Sequence, residues 1–306
     1  MYEHYLHGLL KRKYSHIGAL LFLVGCSCTL QSMAQSNTEV FVVSLETTND
    51  GLRFTNLRNI SNNPGYDNQP SFFNDNLVLF SSTRNGQTDI AAYALNQDSL
   101  MWKSNTPEGS EYSPLKIPGE KLISAIRLDT DGTQLLYSYD MDSGSSTSLL
   151  NDLKVGYHAW YNRELIVSSV LVEDRMDLFV SNLKDRTNYT FQKNVGRSLH
   201  KIPNSGLISY ISKEKSTWEL KSLDPISGAT EKITSMISGV QDVCWMINGT
   251  ILAGWDNKIM KFTPGVDTEW KLVFEFQANQ ISNITRLVTN SISNQLAFVA
   301  EIPDSK

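Results

Sequence analysis

Beyond residue 34 the chain holds two histidines, His158 and His200, and one cysteine, Cys244. Two imidazoles can ligate zinc or relay protons, but a metal site needs a third ligand, and none stands at a suitable spacing from either. A lone cysteine has no disulfide partner and suits a buried apolar position. No Gly-x-Ser-x-Gly elbow, His-Glu-x-x-His motif, Cys-x-x-Cys pair or Gly-rich phosphate loop occurs. Asp129-Thr130-Asp131-Gly132 has the opening of a calcium loop, yet strand-like residues follow where more oxygen ligands would be needed. A hairpin turn is the expectation there. The remaining acids and histidines, Asp67, Glu111, His158, His200 and Asp242, are scattered types rather than a set. The residues predict no catalytic group, no metal and no cofactor, and favour binding. The alternative is a hydrolase or lyase that uses those five at the mouth of a central channel.

The elements that would position these residues are short strands. After residue 35 no stretch keeps a helical period. Apolar residues alternate, or run for four to eight positions as in Leu77-Val78-Leu79-Phe80, between turn signals such as Asn85-Gly86, Asp131-Gly132, Ser143-Gly144 and Asn248-Gly249. Short segments centred on Pro70, Pro114, Ala159, His200, Cys244 and Thr285 recur at intervals of 44, 45, 41, 44 and 41 residues. Each precedes a polar turn and a second apolar strand. Such a period matches a four-stranded propeller blade, which a sandwich does not require.

A third strand repeats as an acid, an aliphatic residue and a leucine five positions on: Asp89-Ile90 with Leu95, Asp177-Leu178 with Leu183, and Glu39-Val40 with Leu45. The N-terminal copy lacks first and second strands, and the C-terminal unit stops after those two. The two chain ends therefore complete one blade, with outer strands from 38–61 and inner strands from 284–302. The prediction is an all-β, six-bladed β-propeller whose last blade is closed by N- and C-terminal strands, which removes exposed sheet edges. Loops entering the first strands carry Tyr66, Asp67, Glu111, Tyr112, Tyr157, His158 and Arg197 to one mouth of the channel. With His200 these are the candidate binding residues. Trp102, Trp160, Trp218, Trp245, Trp255 and Trp270 are spread over the blades and are expected to pack mostly between sheets.

Gln69-Pro70-Ser71-Phe72, the strand from Leu77 to Ser82, Thr83-Arg84-Asn85-Gly86 and Asp89-Ile90 together resemble the WD-like repeat of TolB-type propellers. The second unit keeps Ser113-Pro114 and Asp131-Gly132-Thr133, while later units match in period alone. The resemblance implies an exported propeller of the cell envelope that binds other proteins, and a structural role for Arg84 in tying loops together. TolB carries an α/β domain ahead of its propeller. Here strands begin within five residues of position 34, so TolB's own partners do not transfer. The Asn-rich composition resembles that of Bacteroidetes envelope proteins.

The 306 residues are 41% hydrophobic and 19% charged, which is globular composition. The first 34 residues have Lys11-Arg12-Lys13, an apolar run from Ile17 to Leu30, and Ser32-Met33-Ala34 before Gln35. This is the layout of a signal peptide, and about 14 apolar residues are too few to span a bilayer. The expected arrangement is a signal peptide at 1–34 and a single propeller domain at 35–306. Leu23-Val24-Gly25-Cys26 also resembles a lipobox, so Cys26 is a second candidate for the processed end, as a lipidated residue. The chain's net charge is −5, and the leader contributes +2 of it. A mildly acidic mature chain excludes a broad nucleic-acid footprint. The reading is an exported periplasmic or envelope protein, monomeric, that binds an envelope or secreted protein or a glycan. Its only membrane contact would be a lipid at Cys26.

Overall fold

The computed structural model describes residues 37–49 and 51–303. The leader, Cys26 and the cleavage position after Ala34 lie outside the described residues. All regular structure among the described residues is β-strand. The chain opens with β1 (Glu39–Thr48) and β2 (Gly51–Asn59). Blade 1 follows as β3 (Asp67–Asn74), β4 (Leu77–Arg84), β5 (Gln87–Ala94) and β6 (Ser99–Trp102). Blade 2 is β7 (Gly109–Lys116), β8 (Leu122–Asp129), β9 (Gln134–Asp140) and β10 (Ser146–Leu150). Blade 3 is β11 (Val155–Trp160), β12 (Leu165–Val172), β13 (Arg175–Asn182) and β14 (Thr187–Gln192). Blade 4 is β15 (Val195–Lys201), β16 (Ile208–Ser212), β17 (Glu219–Leu223) and β18 (Thr230–Ser235). Blade 5 is β19 (Val243–Trp245), β20 (Ile251–Trp255), β21 (Lys258–Phe262) and β22 (Lys271–Glu275). The chain ends with β23 (Ser282–Thr289) and β24 (Gln295–Glu301).

Each blade is a four-stranded antiparallel meander. Blade 6 has the order β2-β1-β24-β23, so the two chain ends share it. β1 pairs with β24 in unbroken register from Glu39↔Ala300 to Ser44↔Gln295. The period-2 geometry of a strand sends alternate residues to opposite faces. Val40 and Val42 of β1 and Ala297 and Val299 of β24 pack on Val78, Phe80 and Ala91 of blade 1. Phe41, Val43, Leu296 and Phe298 face the other way, onto Leu252 and Ile259 of blade 5. Strands buried on both faces carry continuous apolar runs, as Leu296-Ala297-Phe298-Val299-Ala300 does.

The core is thus a ring of seams between neighbouring blades. Phe80 and Phe298 are fully buried, each contributing roughly 1.5–3 kcal/mol by transfer from water. Polar groups in the seams repeat a device. Trp160 of blade 3 donates its indole N–H to Ser124 Oγ of blade 2, and Trp245 of blade 5 donates to Ser209 Oγ of blade 4, both at 2.8 Å. Trp102, Trp218 and Trp270 also pack against these seams. Trp255 is the exception, 48% exposed at the end of β20.

The repeated third-strand acid anchors the link to the next blade. Glu39 accepts from Ser61 Oγ and the Asn63 amide, Asp177 accepts from the Asn194 amide at 3.0 Å, and Asp89 is bonded by Ser104 Oγ at 3.3 Å. Arg84 reinforces the last of these. It pairs with Asp89 at 2.8 Å, donates to the Ser104 carbonyl and lies 4.3 Å over Trp102. The segment 129–133 closes as a hairpin turn, with the Gly132 amide donating to the Asp129 carbonyl and Asp129 paired with Arg127.

Candidate functional site

The first strands surround the axis, and each blade contributes one polar residue at a corresponding position, on the strand or, for Asp242, just ahead of β19: Gln69, Ser113, Tyr157, Arg197, Asp242 and Arg286. Three of them, Gln69, Ser113 and Arg286, have φ of +57°, +53° and +50°. Their strands bulge there, at Asn68/Ser71, Tyr112/Leu115 and Thr285/Val288. A bulge re-aims a side chain at the cost of ladder bonds, and non-glycine residues hold left-handed conformations only where the surroundings enforce them.

The axial residues form a network. Arg197 donates to both oxygens of Asp242, with Nε–Oδ1 at 3.0 Å and Nη2–Oδ2 at 2.5 Å. Arg286 Nη1 lies 3.7 Å from Asp242 Oδ1, and Arg286 Nη2 donates to Tyr157 Oη at 3.2 Å with the guanidinium 4.8 Å over the Tyr157 ring. Burial works against the charge of Asp242, but Arg286 and Arg197 overcome it and hold the carboxyl below its ordinary range. Gln69 Oε1 accepts from Ser81 Oγ and from the Ser113 amide, tying blades 1 and 2 at the axis.

At the end where the first strands begin, here the upper mouth, Tyr66 and Tyr112 meet edge to face with centroids 6.1 Å apart. Burial raises the Tyr66 phenol far above its usual range, so it stays neutral beside Arg286 and Arg197. Tyr66, Tyr112 and Tyr157 border a cleft of about 620 Å³ that extends over blades 2 and 3 to Leu128, Leu171 and Lys213. The opposite mouth is a wider, more apolar bowl of about 710 Å³, with Phe72, Phe73, Leu115, Leu199 and Val288 in its wall.

The structure therefore brings Tyr66, Tyr112, Tyr157 and Arg197 together, and it adds Arg286, Gln69 and Ser113, which the sequence did not single out. Asp67 and Glu111 are corrected. Both are 0% exposed and face blade seams rather than the mouth. Glu111 accepts from Ser104 Oγ at 2.7 Å and Tyr139 Oη at 3.1 Å. Asp67 has no hydrogen-bond partner for either carboxylate oxygen, and burial, with Glu39 nearby, pushes its pKa up to about 7. His158 lies within the wall, its Nε2 2.7 Å from Ser124 Oγ, and burial lowers its pKa to about 3. His200 is half-buried on the lower side of the axial layer, and burial lowers its pKa to about 4. Both imidazoles are neutral at pH 7. No group of three or more His, Cys, Asp or Glu side chains among the described residues is arranged to hold a metal ion. Cys244 is buried, and burial raises its thiol pKa.

No protein-family model and no curated protein matches the chain. Solved structures do match. A putative TolB from Agrobacterium tumefaciens aligns with 88% of this chain and all of that one at 10% identity, with a TM-score of 0.68. TolB from Acinetobacter baumannii aligns with 88% of this chain and 66% of that one at 8% identity, with a TM-score of 0.54. A chain of a nidogen/laminin complex aligns with 78% of this chain and 93% of that one at 10% identity, with a TM-score of 0.56. At such identities the likeness is one of fold: the six-bladed propeller of TolB-type proteins.

Proposed function

We propose that this propeller is an exported, non-catalytic scaffold that binds a protein or glycan of the cell envelope at its upper mouth. The observation that carries the reading is the convergence of Tyr66, Tyr112 and Tyr157 on one cleft. Half-buried tyrosines on a rigid frame offer large contact area and a polar tip at low entropic cost. The groups that could do acid–base chemistry do not form a set. Glu111 and Asp67 lie in separate seams. His158, His200 and Asp242 border the axial cavity, but His158 meets Ser124, burial keeps both imidazoles neutral, and Asp242 is held between two guanidiniums. A fold alone carries no chemistry without such a site. Three structures with this fold support the reading by analogy: the two TolB structures, and the nidogen/laminin chain, which was found in a protein complex.

The export half of the proposal rests on the leader at 1–34, with a free Gln35 or a lipidated Cys26 as the mature end. Mass spectrometry of the envelope form separates the two. The binding half is tested by capture from an envelope fraction on the immobilised chain from Gln35 onward, compared with Tyr112→Ala and Tyr157→Ala. A specific protein or glycan that the variants lose supports it. Capture of nothing, together with turnover of a sugar or lactone library that His158→Ala abolishes, favours the hydrolase or lyase alternative.

A further inference from the structure

The axial layer has a charge imbalance. A cavity of about 80 Å³ sits among Gln69, Ser113, Tyr157, Arg197, Asp242 and Arg286, with the neutral His158 and His200 also in its wall. That volume holds a couple of waters or one small polar group. Its charged lining is two guanidiniums and one carboxylate, a net charge of +1. Arg286 and Arg197 side chains are only 12% and 24% exposed, and both turn to the same Asp242. His200 adds no compensating charge. Lys213 lies outside the cavity, at the upper cleft, where its ammonium donates to Gln241 Oε1. Of the other nearby acids, Glu111 is held by Ser104 and Tyr139, Glu173 pairs with Arg175, and Asp174 is exposed at the upper cleft and does not line the cavity.

An uncompensated buried cation is costly, by several kcal/mol in general. A bound anion removes that cost. The polar lining suits an anion as well. Ser113 Oγ is buried and has no partner, and Gln69 has its carboxamide oxygen occupied by Ser81 and Ser113, which leaves its NH₂ end free to donate. Guanidinium and hydroxyl donors converging on a small desolvated space are the recognition chemistry of an oxyanion. A single excess charge and a small cavity select a monoanion with a compact head.

We propose that the axial cavity between Arg286 and Ser113 is a carboxylate-binding site, with the Arg286 guanidinium as its charged donor. The site lies below the tyrosine mouth and does not depend on what docks there. A free carboxylic acid or a carboxylate carried on a larger partner presents the same group.

The test is calorimetric titration of sodium acetate into the purified chain at pH 7.5 and fixed ionic strength, with sodium phosphate in a parallel arm. One acetate per chain is expected, weakened tenfold or more in Arg286→Gln and severalfold in Ser113→Ala. Asp242→Asn raises the local charge to +2 and should tighten acetate, an effect that a purely structural role for Asp242 does not produce. Lys116→Ala, at the lower mouth, should leave the affinity unchanged. The absence of saturable uptake, equal affinity in Arg286→Gln, or phosphate binding tenfold tighter than acetate would each overturn the assignment. If circular dichroism shows Arg286→Gln unfolded, opposite shifts in Ser113→Ala and Asp242→Asn support the site, and no shift in either overturns it. N-acetylglycine against acetate then distinguishes a carried carboxylate from a free one, with N-acetylglycinamide as the control that lacks the carboxylate.

Discussion

Phe41 stacks on Phe298 with ring centroids 5.6 Å apart, so the two ends of the chain are joined by an aromatic contact as well as by the β1–β24 ladder. Phe276 also packs against Phe298, with centroids 5.3 Å apart. Phe298→Ala removes a fully buried ring from the one blade that local sequence cannot build. The expected loss is about 3–5 kcal/mol of stability, read from urea unfolding. The same substitution at Phe54, which is 7% exposed at the periphery of this cluster on the outer strand β2, should cost less. Equal losses would show that the closing seam is not a special point of weakness.

Much of this architecture was legible because it repeats. The blade period, the split sixth blade and the acids Glu39, Asp89 and Asp177 all follow from spacing, and each occupies the position that spacing implied. The axial site was less legible for a geometric reason. Simple alternation places Asp67 and Gln69 on the same side of β3, and likewise Glu111 and Ser113 on β7. The left-handed residues Gln69 and Ser113 break that alternation, so the acids turn into seams while their neighbours two positions on face the axis. Arg286 was missed for the same reason, as it too sits at a bulge in a segment whose sequence shows no turn signal.

Arg84 holds a nearly buried acid, since the Asp89 side chain is 1% exposed. Arg84→Ala leaves that carboxylate with only Ser104 and Gln87 as donors and frees the face of Trp102. A stability loss of roughly 2–4 kcal/mol is expected for breaking such a pair. Arg84→Lys should recover only part of it, because an ammonium cannot donate in plane to Asp89 and the Ser104 carbonyl while stacking on an indole. Arg84→Ala combined with Asp89→Asn should be more stable than Arg84→Ala alone. Thermal denaturation of the four proteins checks the order, and a double variant no better than the single would remove the buried charge as the cause.

Asp67 gives a pH dependence of unusual sign for a carboxylate. Burial is the main cause of its raised pKa, and the charge of Glu39 on β1 acts in the same direction; the polar neighbours Ser82 on β4 and Ser61 and Asn63 of the preceding loop oppose it, although none comes within hydrogen-bond geometry of the carboxylate. The folded-state value of about 7 lies above the unfolded value of about 4. Its contribution to stability is therefore fully present below pH 4 and lost as pH rises through 7. Between pH 5 and 8 the wild type should lose roughly 1–3 kcal/mol relative to Asp67→Asn. Parallel stability curves for the two proteins over that range would show that Asp67 is ionised in the folded state throughout.

His158 should act in the opposite direction. Its ring is 4% exposed, its Nε2 meets a serine hydroxyl that also accepts from Trp160, and its Nδ1 has no partner. Nothing there can receive a second proton. The folded pKa of about 3 is depressed from the usual 6.5, so stability is present above pH 6.5 and lost as pH falls toward 3. Between pH 7 and 4 the wild type should lose roughly 2–3 kcal/mol that His158→Gln, neutral throughout and able to bond Ser124, retains. The Asp67 and His158 slopes cancel in part between pH 4 and 6.5, so neither would be evident in the wild-type curve alone. Asp67→Asn should expose the acid-side loss and His158→Gln the alkaline-side loss. The double variant should be flatter than any of the three, and a double variant with the wild-type profile would place the titrating groups elsewhere in the ring.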